Sequence, residues 1–127
     1  GFFHGHTYSA NPLACSAAIA GIELLNSEEI QNGISYINSV NKRFSEELKH
    51  NTKVKNIRSI GVILAFELNI EMERYGNLRD KIFKAFLDKG VYLRPLGNTI
   101  YILTPYTISK KELQKVHETI KEVLSEF

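Results

Sequence analysis

The run "VKNIRSIGVILAFEL", residues 54–68, constrains the fold more than any other part of this sequence. It is rich in β-branched and aromatic residues and is broken once, by Gly61, so it predicts one strand, or two strands meeting at a kink. Helical spacing flanks it on both sides. Upstream, Ile30, Ile34, Ile37, Val40, Phe44 and Leu48 recur in steps of three and four and mark one face of a helix. Lys42, Arg43, Glu46, Glu47 and Lys49 fall mostly elsewhere and read as its solvated side. Asn26 or Ser27 is the expected cap. Downstream, Leu78, Ile82, Phe83, Phe86 and Leu87 predict a second amphipathic helix, which Gly90 ends as a C′ glycine.

Two short strands are expected next, "VYLRP" and "TIYIL", joined by a turn at Gly97-Asn98. "SKKE" at 109–112 has the form of a capping box. It precedes a last helix with an apolar stripe of Leu113, Val116, Ile120, Val123, Leu124 and Phe127. Residues 1–10 lack periodicity and read as a loop. Asn11-Pro12 starts a helix of small residues through Ala14, Cys15, Ala17, Ala18 and Gly21 to Leu25. Such a helix lets another backbone come close, so burial on several sides is expected for it. Strands interleaved with helices and closed by a tight link give an α+β class: helices packed on a small, mainly antiparallel sheet.

At 127 residues the chain is one ordinary domain in length and needs no disulfide or metal to fold. Sixteen basic and fourteen acidic residues are mixed along it, giving a net charge of +2 and no basic stripe. Nucleic acid is therefore not an expected partner. One cysteine, Cys15, excludes an internal disulfide and fits a reducing cytoplasm. No apolar run approaches the roughly 18 residues of a membrane span, so no membrane partner is expected. The sequence has no signal-peptide pattern and does not begin with Met, which suggests a piece of a longer protein.

Candidate chemistry is sparse. His4 and His6 lack the further ligands a zinc site needs, and His50 and His117 lie in contexts that look like helix surface. Gly5-His6-Thr7-Tyr8-Ser9 offers a close-approach glycine and hydroxyl donors that suit a phosphate, or is a plain turn. Arg94, between Leu93 and Pro95, is either a surface strand residue or a carboxylate anchor through paired hydrogen bonds. Tyr101 and Tyr106 read as core with a wet hydroxyl, or as a pocket wall. Every lysine lies in a polar stretch, so none looks like a Schiff-base nucleophile.

Three segments carry a resemblance. "FFHGHTYSANPLACSAAIAGIELL" resembles the "HG-x-T-[FY]-x-x-NPLACA" segment of class III pyridoxal-phosphate aminotransferases. "VKNIRSIGVILAFEL" is similar to that family's "V-x-x-V-R-x-x-G-x-I-x-x-x-E-L" strand. "GVYLRPLGNTIYILTPYTIS" resembles the "G-V-x-x-RP-x-G-x-x-[IVL]-Y-x-x-PPY-x-I" segment of one branch of it. Two positions depart: His6 stands where members often have Pro, and Thr104 where the pattern has the first Pro of "PPY".

The resemblance implies the C-terminal portion of a fold-type I, pyridoxal 5′-phosphate-dependent transferase. Residues 1–50 would be the end of the large domain and connecting helices, and 51–127 a small C-terminal α/β domain. The cofactor-bonding lysine would lie upstream, leaving this chain inactive alone. His6 and Thr7 would hold the cofactor phosphate of the neighbouring subunit in a homodimer. Gly5 would lie beside the substrate, Arg94 would pair with the keto acid's carboxylate, and Tyr101 would help discriminate the two amine partners. The small-residue helix would serve a dimer and domain contact. The rivals are a class III relative acting on an ω-amino acid or ornithine, and a non-catalytic α+β ligand-binding module.

Overall fold

The computed structural model describes residues 4–5, 7–70 and 77–127. The chain divides into two compact units, Gly1–Asn32 and Gly33–Phe127. The first unit carries a turn over residues 7–10 and helix α1, Pro12–Leu25. Asn11 caps α1: its side-chain carbonyl accepts from the Ala14 N–H at 3.1 Å, and Pro12 occupies the first helical position. Helix α1 has no buried residue; Leu13, Ile19, Ile22 and Leu24 are all well exposed. The burial expected for this small-residue helix is therefore not found among the described residues.

Helix α2, Glu28–Leu48, begins as expected at Ser27, whose hydroxyl accepts from the Ile30 N–H at 3.4 Å. Within the second unit its face of Ile37, Val40, Phe44 and Leu48 is buried, while Lys42, Arg43, Glu46, Glu47 and Lys49 stay in solvent. Strands β1 (Val54–Ile60) and β2 (Ile63–Leu68) form an antiparallel hairpin. Gly61-Val62 is its two-residue turn, and Gly61 takes a φ of 53°. A positive φ at the first turn position matches the right-handed twist of the strands, which resolves the Gly61 break as a hairpin. Strand β1 bulges between Lys55 and Arg58, with Asn56 at a φ of 50°. The Asn56 amide and the Arg58 guanidinium both donate to the Glu67 carboxylate, which lowers its pKa and fastens the bulge to β2.

Helix α3, Asn77–Asp88, ends at Gly90. Gly90 N–H donates to Leu87 O at 2.8 Å and Val91 N–H to Phe86 O at 3.0 Å, with Gly90 at a φ of 76°. That pair of bonds is the Schellman arrangement expected for a C′ glycine. Strand β3, Thr99–Ile102, then pairs antiparallel with β2, giving the sheet order β1-β2-β3. Helix α4, Lys110–Glu126, opens on the expected capping box between Ser109 and Glu112.

"VYLRP" does not form the expected strand. Residues 91–95 alternate buried and exposed as a strand would, but belong to no ladder. At both ends of the segment the bonding groups are engaged elsewhere or missing. The Val91 N–H closes α3, Pro95 has no N–H, and Leu96 pairs at once with Thr99 across the Gly97-Asn98 turn.

One face of the sheet builds the core. Leu64, Phe66, Leu68, Ile100 and Ile102 pack with Phe44 and Leu48 of α2, Ile82 and Phe86 of α3, and Ile120, Val123 and Leu124 of α4. The other face stays open, and its strand register sets Arg58, Ala65 and Tyr101 in one row. The second unit is thus the α+β layer that the sequence predicts.

Candidate functional site

The second unit holds a cleft of about 300 Å³ beside β3, lined by Arg94, Tyr92, Tyr101, Thr104 and Val116 among others. Its parts come from three places. The alternation of 91–95 sends Val91 and Leu93 into the core and leaves Tyr92 and Arg94 outside. Tyr101 stands on the open face of the sheet, where its register partner is Ala65. A methyl there leaves the ring uncovered, and Tyr101 keeps 43% of its surface exposed. Thr104 follows β3, and Val116 comes from α4. Arg94 and Tyr101, seven residues apart in sequence, therefore share one cavity.

Arg94 makes no ion pair or hydrogen bond among the described residues, so its five donors are free to meet a ligand. Other charged side chains pair at the surface, as Lys49 does with Glu46, Lys84 with Asp88, and Lys121 with Glu47. A guanidinium on the wall of a cleft with aromatic and aliphatic neighbours is suited to a carboxylate on an otherwise apolar molecule. Thr104 lines the same cleft; its Oγ1 is enclosed and has no hydrogen-bond partner among the described residues.

The first unit holds the other residues singled out from the sequence. Thr7 opens the turn before α1; it is exposed, and its hydroxyl makes no hydrogen bond among the described residues. The turn is closed by Asn11 N–H donating to Tyr8 O at 3.1 Å, with Ala10 at a φ of 59°. A free hydroxyl just ahead of a helix N-terminus is a donor set that fits a phosphate. Gly5 is exposed, and among the described residues a methyl placed on it would meet only Ser9 Oγ, at 3.9 Å. His6 lies outside the described residues.

His117 corrects an expectation. It is 7% exposed rather than on the helix surface, and its ring stacks on Phe44 with centroids 4.1 Å apart. Burial pushes its pKa down to about 4. The missed signal was spacing: Leu113, His117, Ile120 and Leu124 share one face of α4, as Ile37, Asn41, Phe44 and Leu48 do on α2. His117 and Asn41 meet across that contact at 3.0 Å, outside the cleft. Among the described residues no cluster of His, Cys, Asp and Glu could hold a metal ion, and no helix is long and apolar enough to cross a membrane.

The family model for class-III aminotransferases matches residues 1–124. The adenosylmethionine-8-amino-7-oxononanoate aminotransferase of Synechococcus elongatus is 39% identical over 128 residues, covering 99% of this chain and 30% of that protein. The enzyme of the same name from Helicobacter pylori is 33% identical, again over 99% of this chain and 29% of its own length. Among solved structures, that of the Methanocaldococcus jannaschii adenosylmethionine-8-amino-7-oxononanoate aminotransferase superposes with a TM-score of 0.83 at 28% identity. It is matched over 98% of this chain and 30% of its own. The chain thus spans a little under a third of the length of the relatives it matches.

Proposed function

Because this chain belongs to the class-III aminotransferase family, we propose that it is the C-terminal portion of the enzyme that converts 8-amino-7-oxononanoate to 7,8-diaminononanoate, a step of biotin synthesis. S-adenosylmethionine is the amino donor and pyridoxal 5′-phosphate the cofactor of this cytoplasmic homodimer. Residues 1–50 close the large domain and connecting helices, and 51–127 form the small domain. The names of the most similar curated relatives support the substrate assignment.

The observation that carries the reading is Arg94, a guanidinium without a partner among the described residues, in a cleft it shares with Tyr101. Of the two substrates, the keto acid is the one that offers a carboxylate at the end of an apolar chain. Arg94 binds that carboxylate through two parallel hydrogen bonds and so fixes the distance from the acid end to the reacting end. Tyr101 covers the aliphatic chain and takes part in telling the amine partners apart. Thr7, with the backbone of His6, donates to the phosphate of the cofactor bound in the neighbouring subunit, and Gly5 leaves room for substrate beside it. When bound, pyridoxal phosphate supplies the electron sink that lets an amino group leave one molecule and join another. The lysine that bonds to it belongs to a part of the enzyme outside this chain.

The test is a transamination assay of the whole enzyme with 8-amino-7-oxononanoate and S-adenosylmethionine. Formation of the diamine with saturable dependence on both is expected. Turnover confined to an ω-amino acid or ornithine would replace this reading with another branch of the family. A Caulobacter vibrioides ω-aminotransferase, 27% identical, marks that branch.

A further inference from the structure

We infer that Thr104 is a specificity residue for the keto acid, its hydroxyl giving the substrate carboxylate a hydrogen bond beside those from Arg94. This rests on the reading of the cleft given above. Three observations lead to it. Thr104 lines the same cavity as Arg94 and Tyr101. Its Oγ1 is enclosed, and among the described residues it is the one buried side-chain nitrogen or oxygen without a hydrogen-bond partner. Leaving such a group unpaired costs about 1–3 kcal/mol, and valine would fill the same space without that cost. A hydroxyl kept there is therefore accounted for by something that enters the cavity.

The third observation is that the position is held firmly. Thr104 lies two residues beyond the end of β3, and two residues later the Tyr106 carbonyl lies against the backbone of Gly33 in α2, so near that a Cβ at Gly33 would overlap it. The backbone around Thr104 is thus fixed from both sides. Threonine reaches another χ1 well by turning about one bond, so its hydroxyl can be presented to an occupant without moving that backbone. A carboxylate engaged by a guanidinium through two hydrogen bonds still has lone pairs to accept a third. The added donor favours the molecule that brings a carboxylate to this end, and so discriminates between the two substrates that share the enzyme.

The test measures kcat and KM for both substrates in the whole enzyme, as wild type, Thr104→Val, Thr104→Ser and Arg94→Ala. Thr104→Val is expected to raise KM for the keto acid about tenfold or more and leave KM for the amine donor within about twofold. Thr104→Ser, which keeps the hydroxyl, is expected to stay near wild type. A keto-acid analogue with a methyl group in place of its carboxylate, which offers no acceptor at that end, should show no Thr104→Val effect. Should the valine variant not fold, Thr104→Ala carries the same expectation. An unchanged keto-acid KM in Thr104→Val, or equal weakening for both substrates, overturns the inference. If Arg94→Ala leaves keto-acid KM unchanged, the reading of the cleft falls and Thr104 with it. If Arg94→Ala raises it and Thr104→Val does not, only the role of Thr104 falls.

Discussion

Asn41 and His117 decide each other's state. The Asn41 amide donates to Val62 O at 3.0 Å, so its carbonyl faces His117 Nε2, also at 3.0 Å. A carbonyl only accepts, so the ring must hold its proton on Nε2. Asn41 is fully buried, and the ring is enclosed between Asn41 and Phe44. Burial is the main cause of the low His117 pKa of about 4; the Glu47 charge works against it, while Lys121 and Arg43 add to it. In the unfolded chain the same ring titrates near 6.5. Between those values the unfolded state binds more protons than the folded one. Stability is therefore full above about pH 6.5, falls as pH drops towards 4 and then levels, by at most about 3 kcal/mol. Denaturant unfolding at several pH values checks this: His117→Gln should flatten that slope, and an unchanged slope would assign it to other groups. Thr7 allows a second residue-scale prediction. Thr7→Val should weaken cofactor binding about tenfold to a hundredfold, the range for losing one hydrogen bond to a charged group, as read by cofactor titration. An unchanged affinity would remove Thr7 from the phosphate site.

At the scale of elements, local chemistry was legible where a signal is local. The Ser109–Glu112 capping box, the Gly90 helix stop and the Asn11-Pro12 helix start all stand where their residues indicate. Signals failed where the outcome depends on partners distant in sequence. "VYLRP" has strand composition, yet the Val91 N–H serves the α3 cap, Pro95 has no N–H, and the Leu96–Thr99 turn follows at once. His117 read as surface because Gln114, Lys115, Glu118 and Lys121 surround it in sequence, although Leu113 four residues before it and Ile120 three residues after it are apolar. Gly33 is another such case, unremarkable inside α2 by sequence. A Cβ there would come 2.4 Å from the Tyr106 carbonyl oxygen, which is backbone and cannot swing away. Gly33→Ala gains about 1 kcal/mol in helix propensity but must push α2 off the segment that follows Thr104. A net loss of about 1–3 kcal/mol is expected, visible as a lower melting temperature. A raised melting temperature would mean that this contact relaxes freely.

For the molecule as a whole, the exposed α1 and a cleft whose guanidinium has no partner among the described residues suit a chain that spans 30% of its curated relative in Synechococcus elongatus. Arg94 and Tyr101 could be named from the sequence because a family pattern spaces them. Their shared cavity could not, since it depends on Ala65 opposite Tyr101 and on the outward side of an unpaired segment. The account rests on Arg94 reading a carboxylate, and the direct measurement is steady-state kinetics of Arg94→Ala in the whole enzyme with each substrate varied in turn. A loss of about 2–5 kcal/mol in keto-acid binding is predicted, seen as KM raised at least about thirtyfold, with the donor's KM little changed. Equal weakening for both substrates, or none for the keto acid, would contradict it.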